Sequence, residues 1–341
     1  MKRCCVHLFR QDFGGWLRFV LCAVVGCFPQ LCVRATDTVL ERHVELTATV
    51  SVQSHTNGSV KVWIPVPQSS SFQSTEQVIR HQDLPLQLTA ERRYGNEMLY
   101  GEESSAESGR LDFEITWKVS RRQVRGNDLP EPERLLTLER TIWLQGSPRI
   151  PIGGKPLELL DALTLPDRAL GQARLFYDRV LEHMRYDKSR PGYGTGDAVW
   201  ACDSRFGNCT DFHSLFMSLA RSHGIPARFE IGYPLPADRN HGDISGYHCW
   251  AWFHELHDGW APVDISEADK HPELSDFYFG NLPADRIAFS VGRDLVLEPP
   301  QQGDPLNFFV TPYAEVDGSS IADRDVAFSL SFHDVDIESL E

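Results

Sequence analysis

Residues 207–224 read Gly-Asn-Cys-Thr-Asp-Phe-His-Ser-Leu-Phe-Met-Ser-Leu-Ala-Arg-Ser-His-Gly. Leu215, Phe216, Leu219 and Ala220 recur at helical spacing, and Gly224 with Pro226 just beyond it stops the run. Thr210 and Asp211 suit a first helical turn. The pattern therefore predicts Cys209 at a helix N-terminus. There, unpaired backbone N–H groups and the positive end of the macrodipole favour an anion. A thiolate is an anion, so this position lowers a thiol pKa and raises its reactive fraction at neutral pH.

The partners expected for such a cysteine lie downstream. Residues 246–253 (GYHCWAWF) read as an aromatic-rich strand and residues 259–266 (GWAPVDIS) as the next. A five-residue loop over 254–258 would pair Phe253 with Gly259 and set His248 directly opposite Asp264. Opposed residues in an antiparallel pair share a face, with Cβ atoms roughly 5 Å apart. A two-residue turn at Asp258–Gly259 would instead put them on opposite faces, so the longer loop is the expectation. Cys209 would then be the nucleophile and His248 the base that takes its proton. Asp264 would hold the imidazole in its tautomer.

These three segments together resemble the transglutaminase-like superfamily, and among its members the bacterial transglutaminase-core proteins. The resemblance runs over roughly residues 36–318 and rests on GNCTDFHSLFMSLARSHGIPAR, YHCWAWF and GWAPVDIS, with Trp63-Ile64-Pro65-Val66-Pro67 in the N-terminal half. It implies an α+β fold: an N-terminal antiparallel β-sandwich followed by a papain-like, transglutaminase-core α+β domain. It also implies a Cys209–His248–Asp264 triad acting on a protein or peptide amide. Asn208 stands where eukaryotic tissue transglutaminases have Gln before the cysteine. The resemblance therefore carries no implication of specific glutamine–lysine crosslinking, and hydrolysis is favoured over transamidation. No cofactor and no metal are expected, since there is no CxxC pair and the histidines lack ligand spacing. The competing reading is a non-catalytic scaffold that binds a peptide or the cell envelope on the same fold.

Working outward, residues 166–184 place Ala169, Ala173, Phe176, Val180 and Met184 on one helical stripe, read as core. The stretch 186–203 reads as a glycine-rich loop leading into the nucleophile, either a gate over the cleft or a plain connection. Tyr193 and Trp200 in it are candidates for lining a substrate groove. Trp250 is a third, although with Trp252 and Trp260 it also reads as core. His213, one turn past Cys209, reads as packed and hydrogen-bonded. Cys202 and Cys249 read as buried free thiols more than as a disulfide.

From Thr36 to about Pro156 short strands broken by turns argue for the sandwich, with 111–119 (LDFEITWKV) the clearest period-two strand. Residues 101–109 read as an exposed acidic loop and 141–144 as a short strand. Further strands are expected at 287–297 and 306–310. The sandwich reads more as a packing platform than as a docking site. The expected divisions are 1–35 leader, 36–156 sandwich, 157–320 catalytic domain and 321–341 acidic tail, the tail carrying one alternating segment (326–332) that would make an edge or added strand.

Residues 1–35 have the layout of a secretory signal: a basic start, an apolar run at 19–28 too short to span a bilayer, and a small-residue site at Val33-Arg34-Ala35. A second export route, lipidation at Cys27 after Val24-Val25-Gly26, would anchor the protein to a membrane. Both routes predict a periplasmic or secreted protein. Five of the eight cysteines lie in this leader, and cleavage after Ala35 leaves Cys202, Cys209 and Cys249, an odd count that predicts a free thiol. The 341 residues suit about two domains, and the formal charge of −15 argues against nucleic acid as a partner.

Overall fold

A computed structural model of the protein describes residues 40–126, 135–255 and 259–336. Residues 1–35, with the expected cleavage site and Cys27, lie outside the described residues. The first half supplies β1 (Glu41–Ser54), β2 (Gly58–Pro65), β3 (Gln73–Gln82), β4 (Gln87–Ala90), β5 (Glu97–Ala106) and β6 (Gly109–Arg122). The helical half follows with α1 (Thr137–Leu144), α2 (Ala169–His183), β7 (Arg185–Tyr186), α3 (Ala198–Ser204), β8 (Phe206–Gly207) and α4 (Cys209–Ser222). After these come β9 (Ala227–Pro234), β10 (His241–Asp243), β11 (His248–Glu255), β12 (Gly259–Val263), α5 (Ile265–Lys270) and β13 (Arg286–Val291). The chain then forms β14 (Tyr313–Val316), β15 (Ser319–Ser320) and β16 (Val326–Asp334).

The architecture is α+β. Two five-stranded antiparallel sheets, ordered β10-β16-β1-β6-β3 and β15-β14-β2-β5-β4, form the sandwich. Strand β1 shows why: Val44, Leu46, Ala48, Val50 and Val52 alternate along it, each fully buried. That period-two stripe meets Val60, Val62 and Ile64 of β2 and Phe113, Ile115 and Val119 of β6 in one core. The sandwich is not confined to 36–156. The chain returns to it near its end, with β14 pairing β2 and β16 pairing β1 over nine residues, Val44↔Asp334 to Val52↔Val326. Residues 326–334, within the segment expected as an acidic tail, are therefore part of the sandwich: Leu330 and Phe332 of β16 are core. Removing residues 321–341 should strip β1 of one hydrogen-bonded neighbour and uncover its apolar stripe. Two large buried side chains at about 1.5–3 kcal/mol each predict a melting temperature lowered by roughly 6–24 °C, or loss of soluble protein. An unchanged melting curve would refute this.

Other departures have local causes. β5 runs through the stretch expected as a loop, because its backbone pairs with β2 while Glu102 to Ser105 stay exposed. β3 was not anticipated. It lies at a sheet edge with mostly polar side chains, half of its residues exposed, so it lacks apolar alternation. Thr141–Leu144 is helical, in α1, whose start is held by a 2.9 Å bond from the Leu136 N–H to Glu139 Oε2. Residues 306–310 form no strand, and Leu306 makes only an isolated bridge to Leu295.

The central sheet, ordered β12-β11-β9-β13, is covered on both faces. On one side α4 is buried from Cys209 to Arg221, and Phe216 meets Phe253 of β11 edge-on at 6.3 Å. On the other, Trp250 and Trp252 join Phe72, Val124, Leu282 and Ala288 in a second cluster. The sandwich is clamped there by a reciprocal amide pair. Gln73 Nε2 donates to the Ala288 carbonyl and the Ala288 N–H donates to Gln73 Oε1, each at 2.9 Å. The sandwich thus serves as a packing platform for the sheet that carries β11. Among the described residues no helix is long and apolar enough to cross a membrane.

Candidate active site

Cys209 is the first residue of α4, and Asn208 is its N-cap. The Asn208 side chain accepts from the Thr210 N–H at 2.9 Å, and the Asp211 carboxylate reaches back to the Asn208 N–H at 3.0 Å. This reciprocal capping box satisfies two orphan donors and sets the angle at which the chain enters the helix. Cys209 itself is only 2% exposed.

Asp211 has a second duty. Its carboxylate also accepts from the N–H groups of Gly194 (2.7 Å) and Gly196 (2.9 Å), tying the glycine-rich segment to the start of α4. Arg293 and Asn307 hold the Thr195 carbonyl at 3.0 and 2.9 Å. The segment leading to Cys209 is therefore anchored on both sides, and it contains α3 where a continuous loop was expected. The glycines follow from close approach. At Gly196 (φ 62°) a Cβ would lie 2.6 Å from Arg293 Nη1 and Thr210 Cγ2, and at Gly207 one would lie 2.5 Å from Asp211 Oδ2.

His248 begins β11 and Asp264 immediately follows β12, serving as N-cap of α5. His248 Nε2 lies 2.7 Å from Asp264 Oδ2. The register differs from the expectation. Glu255 pairs with Gly259 and Ala251 with Val263, so the connection is two residues shorter than proposed and Asp264 is shifted two positions from His248. The connecting residues 256–258 lie outside the described residues. A shift of two keeps the side-chain face, so the pair meets diagonally. The break of β12 at Val263 carries Asp264 off the ladder, and its Oδ1 accepts from the Glu267 N–H at 3.2 Å.

Asp264 takes Nε2 of the ring, and the imidazole acts on the Cys209 thiol at the start of α4. Burial alone would push the Cys209 thiol up. Hydrogen bonds from Cys249 and His248 and the imidazolium charge outweigh it and hold the thiol well below its ordinary value. Burial likewise disfavours a charged His248, but Asp264 overrides it and raises the imidazole to about 9. Asp264 is fully buried yet lies below the usual carboxylate range because of His248 and Arg286. These directions all favour the charged forms, a thiolate, an imidazolium and a carboxylate, over the neutral ones.

His213 is packed within this assembly. Its Nε2 accepts from the Ile265 N–H at 3.1 Å, which fixes the backbone beside Asp264, and burial keeps the ring neutral. Cys249 points to the α4 side, 3.7 Å from Thr210 Oγ1 and 3.8 Å from His213 Nδ1. Cys202 lies 3.9 Å from the Lys155 carbonyl oxygen, and both cysteines are buried and free. Trp250 does not line a groove. It is fully buried, and it and Trp252 each donate an indole N–H to Glu230 Oε2 at 2.5 Å. Two indole donors against one buried carboxylate lock both rings into the core. Trp200 is partly buried, edge-on to Phe206 at 5.2 Å, and Tyr193 is 38% exposed. Among the described residues no group of three or more His, Cys, Asp and Glu side chains is arranged to hold a metal.

Sequence reasoning missed Arg286. It is 4% exposed, with its Nε 3.6 Å from Asp264 Oδ2 and further ion pairs to Glu267 (3.3 Å) and Asp285 (2.6 Å). Nothing in the sequence marks it, because it reaches Asp264 only through the folding of β13. Its charge opposes protonation of His248. Removing it in Arg286→Gln should let the imidazolium persist to higher pH. The alkaline inflection of the Cys209 alkylation profile should then move up on the order of one pH unit. A profile that stays put or moves down would show that Arg286 does not act on His248.

Residues 161–265, which contain Cys209, His248 and Asp264, match the family described as the Transglutaminase-like superfamily. An uncharacterised protein of Haemophilus influenzae is 26% identical over 316 residues, covering 79% of this chain and 84% of that protein. A solved structure of a proposed cysteine protease from Cytophaga hutchinsonii superposes with a TM-score of 0.57. It is 12% identical and covers 88% of this chain and 93% of its own. The last two likenesses bear on the fold. Residues 161–265 are thus similar to the transglutaminase-like core, and the wider chain shares the fold of that solved structure.

Proposed function

We propose that this protein is an exported cysteine-dependent acyl-transfer enzyme acting on protein or peptide amides, with water as the favoured acceptor. The observation that carries the reading is the pairing of His248 Nε2 with the buried Asp264 at 2.7 Å, while its thiol partner Cys209 opens α4. In this reading the Cys209 thiolate attacks the amide carbonyl. His248 gives its proton to the departing amine, leaving an acyl-enzyme, and then takes a proton from the incoming water as that attacks the thioester. Asp264 keeps the imidazole oriented and charged. The backbone N–H of Cys209 would stabilise the oxyanion, being at a position where no earlier helical carbonyl takes it. Tyr193 and Trp200 are the remaining candidates for lining the groove, and the leader supports export.

The test is incubation of the protein, and of Cys209→Ala, with unfolded casein and a fluorescent primary amine. The expected result is new peptide fragments from the wild type alone, with little amine incorporated. Amine incorporation in place of cleavage would reassign the acceptor. Neither product, from protein whose Cys209 is alkylated rapidly, would defeat the proposed peptide-amide substrate.

A further inference from the structure

Away from Cys209, four arginines converge on a cleft of about 430 Å³, a size typical of small-ligand sites. Arg93 comes from the turn between β4 and β5, Arg149 from the segment after α1, Arg221 from the end of α4 and Arg293 from just after β13. Arg221 and Arg293 are 9% and 4% exposed, and both donate to uncharged groups. Arg221 donates to the carbonyls of Ala227 (2.7 Å) and Gln145 (2.8 Å), and Arg293 to Asn307, to Ser214 Oγ (2.8 Å) and to the Thr195 carbonyl (3.0 Å). Two aspartates line the cleft against these four cations. One of them, Asp294, stands 3.8 Å from Arg149, and the other is Asp304.

This is an unbalanced arrangement for a chain whose overall charge is −15. Buried guanidinium groups that meet no carboxylate carry a desolvation cost that a nearby anion offsets. Burial, together with the mutual repulsion of Arg93, Arg221 and Arg293, pulls Arg221 down to about 10. A second, independent feature points to an occupant: Ser147 Oγ, also on the cleft wall, is buried without a hydrogen-bond partner. Arg93 spends one Nη2 bond on Gln145 (2.8 Å) and Arg149 is 43% exposed, so both can turn donors into the cleft.

We propose that this cleft is a binding site for a small oxyanion, a carboxylate or a phosphate. Arg93 and Arg149 grip it through charge-assisted hydrogen bonds, Ser147 Oγ donates to it, and Arg221 and Arg293 supply the positive field beneath. The site is joined to the nucleophile's surroundings. Arg293 holds the Thr195 carbonyl, whose glycine neighbours are bound by Asp211, which caps the helix that Cys209 opens. The proposal does not depend on the reaction assigned to Cys209.

Isothermal titration of the full chain with inorganic phosphate, at constant ionic strength against a chloride control, tests it directly. Saturable binding is expected, weakened at least tenfold in Arg93→Gln/Arg149→Gln, two substitutions at the rim that leave the melting temperature close to wild type. Competition by a peptide with a free α-carboxylate, and none by its amidated twin, would make a peptide terminus the natural occupant. Failure of both to compete would leave free phosphate as the occupant. No saturable phosphate or carboxylate binding above the chloride control, or equal affinity in the double variant, overturns the site.

Discussion

Iodoacetamide should alkylate Cys209 at pH 6.5 on the order of 100-fold faster in the wild type than in His248→Ala. The factor follows from the thiolate fraction. In the wild type the hydrogen bonds from Cys249 and His248, with the imidazolium charge, hold the thiol well below its ordinary value against the effect of burial. Take away the imidazole and burial acts with much less opposition, so the pKa returns to about 8.5 or higher and the thiolate falls to about 1% at pH 6.5. The wild-type rate should already be on a plateau by pH 6.5, where an ordinary thiol is only beginning to titrate. Cys249 and Cys202 are both raised, chiefly by burial, so peptide mapping should place the early label on Cys209 alone. Equal rates in the two proteins, each following a thiol titration near pH 8.5, would remove the activated pair on which the proposed function rests.

Asp264→Asn should lower turnover by roughly 10³–10⁴-fold while leaving Cys209 and His248 in place. The amide cannot stabilise the imidazolium. Burial, the largest influence on His248, then pushes the ring below its ordinary value, and the thiolate loses its partner. A stability signature accompanies this loss. His248 is raised to about 9 in the folded protein, so its contribution is fully present below about pH 6.5 and disappears as pH rises through 9. Asp264 is depressed, so its contribution is present above about pH 4 and disappears as pH falls through its low folded value. The difference in melting temperature between wild type and Asp264→Asn should therefore be greatest between about pH 4 and 6.5. There the variant should be less stable by about 3–5 kcal/mol, and the gap should narrow toward pH 9. A gap that is constant from pH 5 to 9.5 would show that the His248–Asp264 charge pair does not contribute as described.

Much of this arrangement was legible locally. The helix start at Cys209 could be read because three near-neighbour signals agree: apolar residues at helical spacing, Asn208 and Asp211 placed as cap and first-turn acid, and a Gly224–Pro226 stop. The shared face of His248 and Asp264 could be read because strand parity survives any even shift of register. The register itself could not. It depends on where β11 and β12 end, and no local pattern sets that. Trp250 misled for a related reason. Alternation tells which residues share a face, but it does not say that the sandwich covers that face and that Glu230 accepts the hydrogen bonds of both indoles.

The sequence by itself determined the strand-rich first half, the local elements around Cys209 and the residue types gathered there, because hydrophobic period, capping chemistry and turn residues act over a few neighbouring positions. Tertiary structure alone decided the rest. It brought β14 and β16 back into the sandwich and anchored the 194–196 segment on Asp211 and Arg293. It also set Arg286 beside Asp264 and drew four distant arginines into one cleft. Those contacts join residues far apart in the chain. Their energies come from shared burial and charge, which no local pattern encodes.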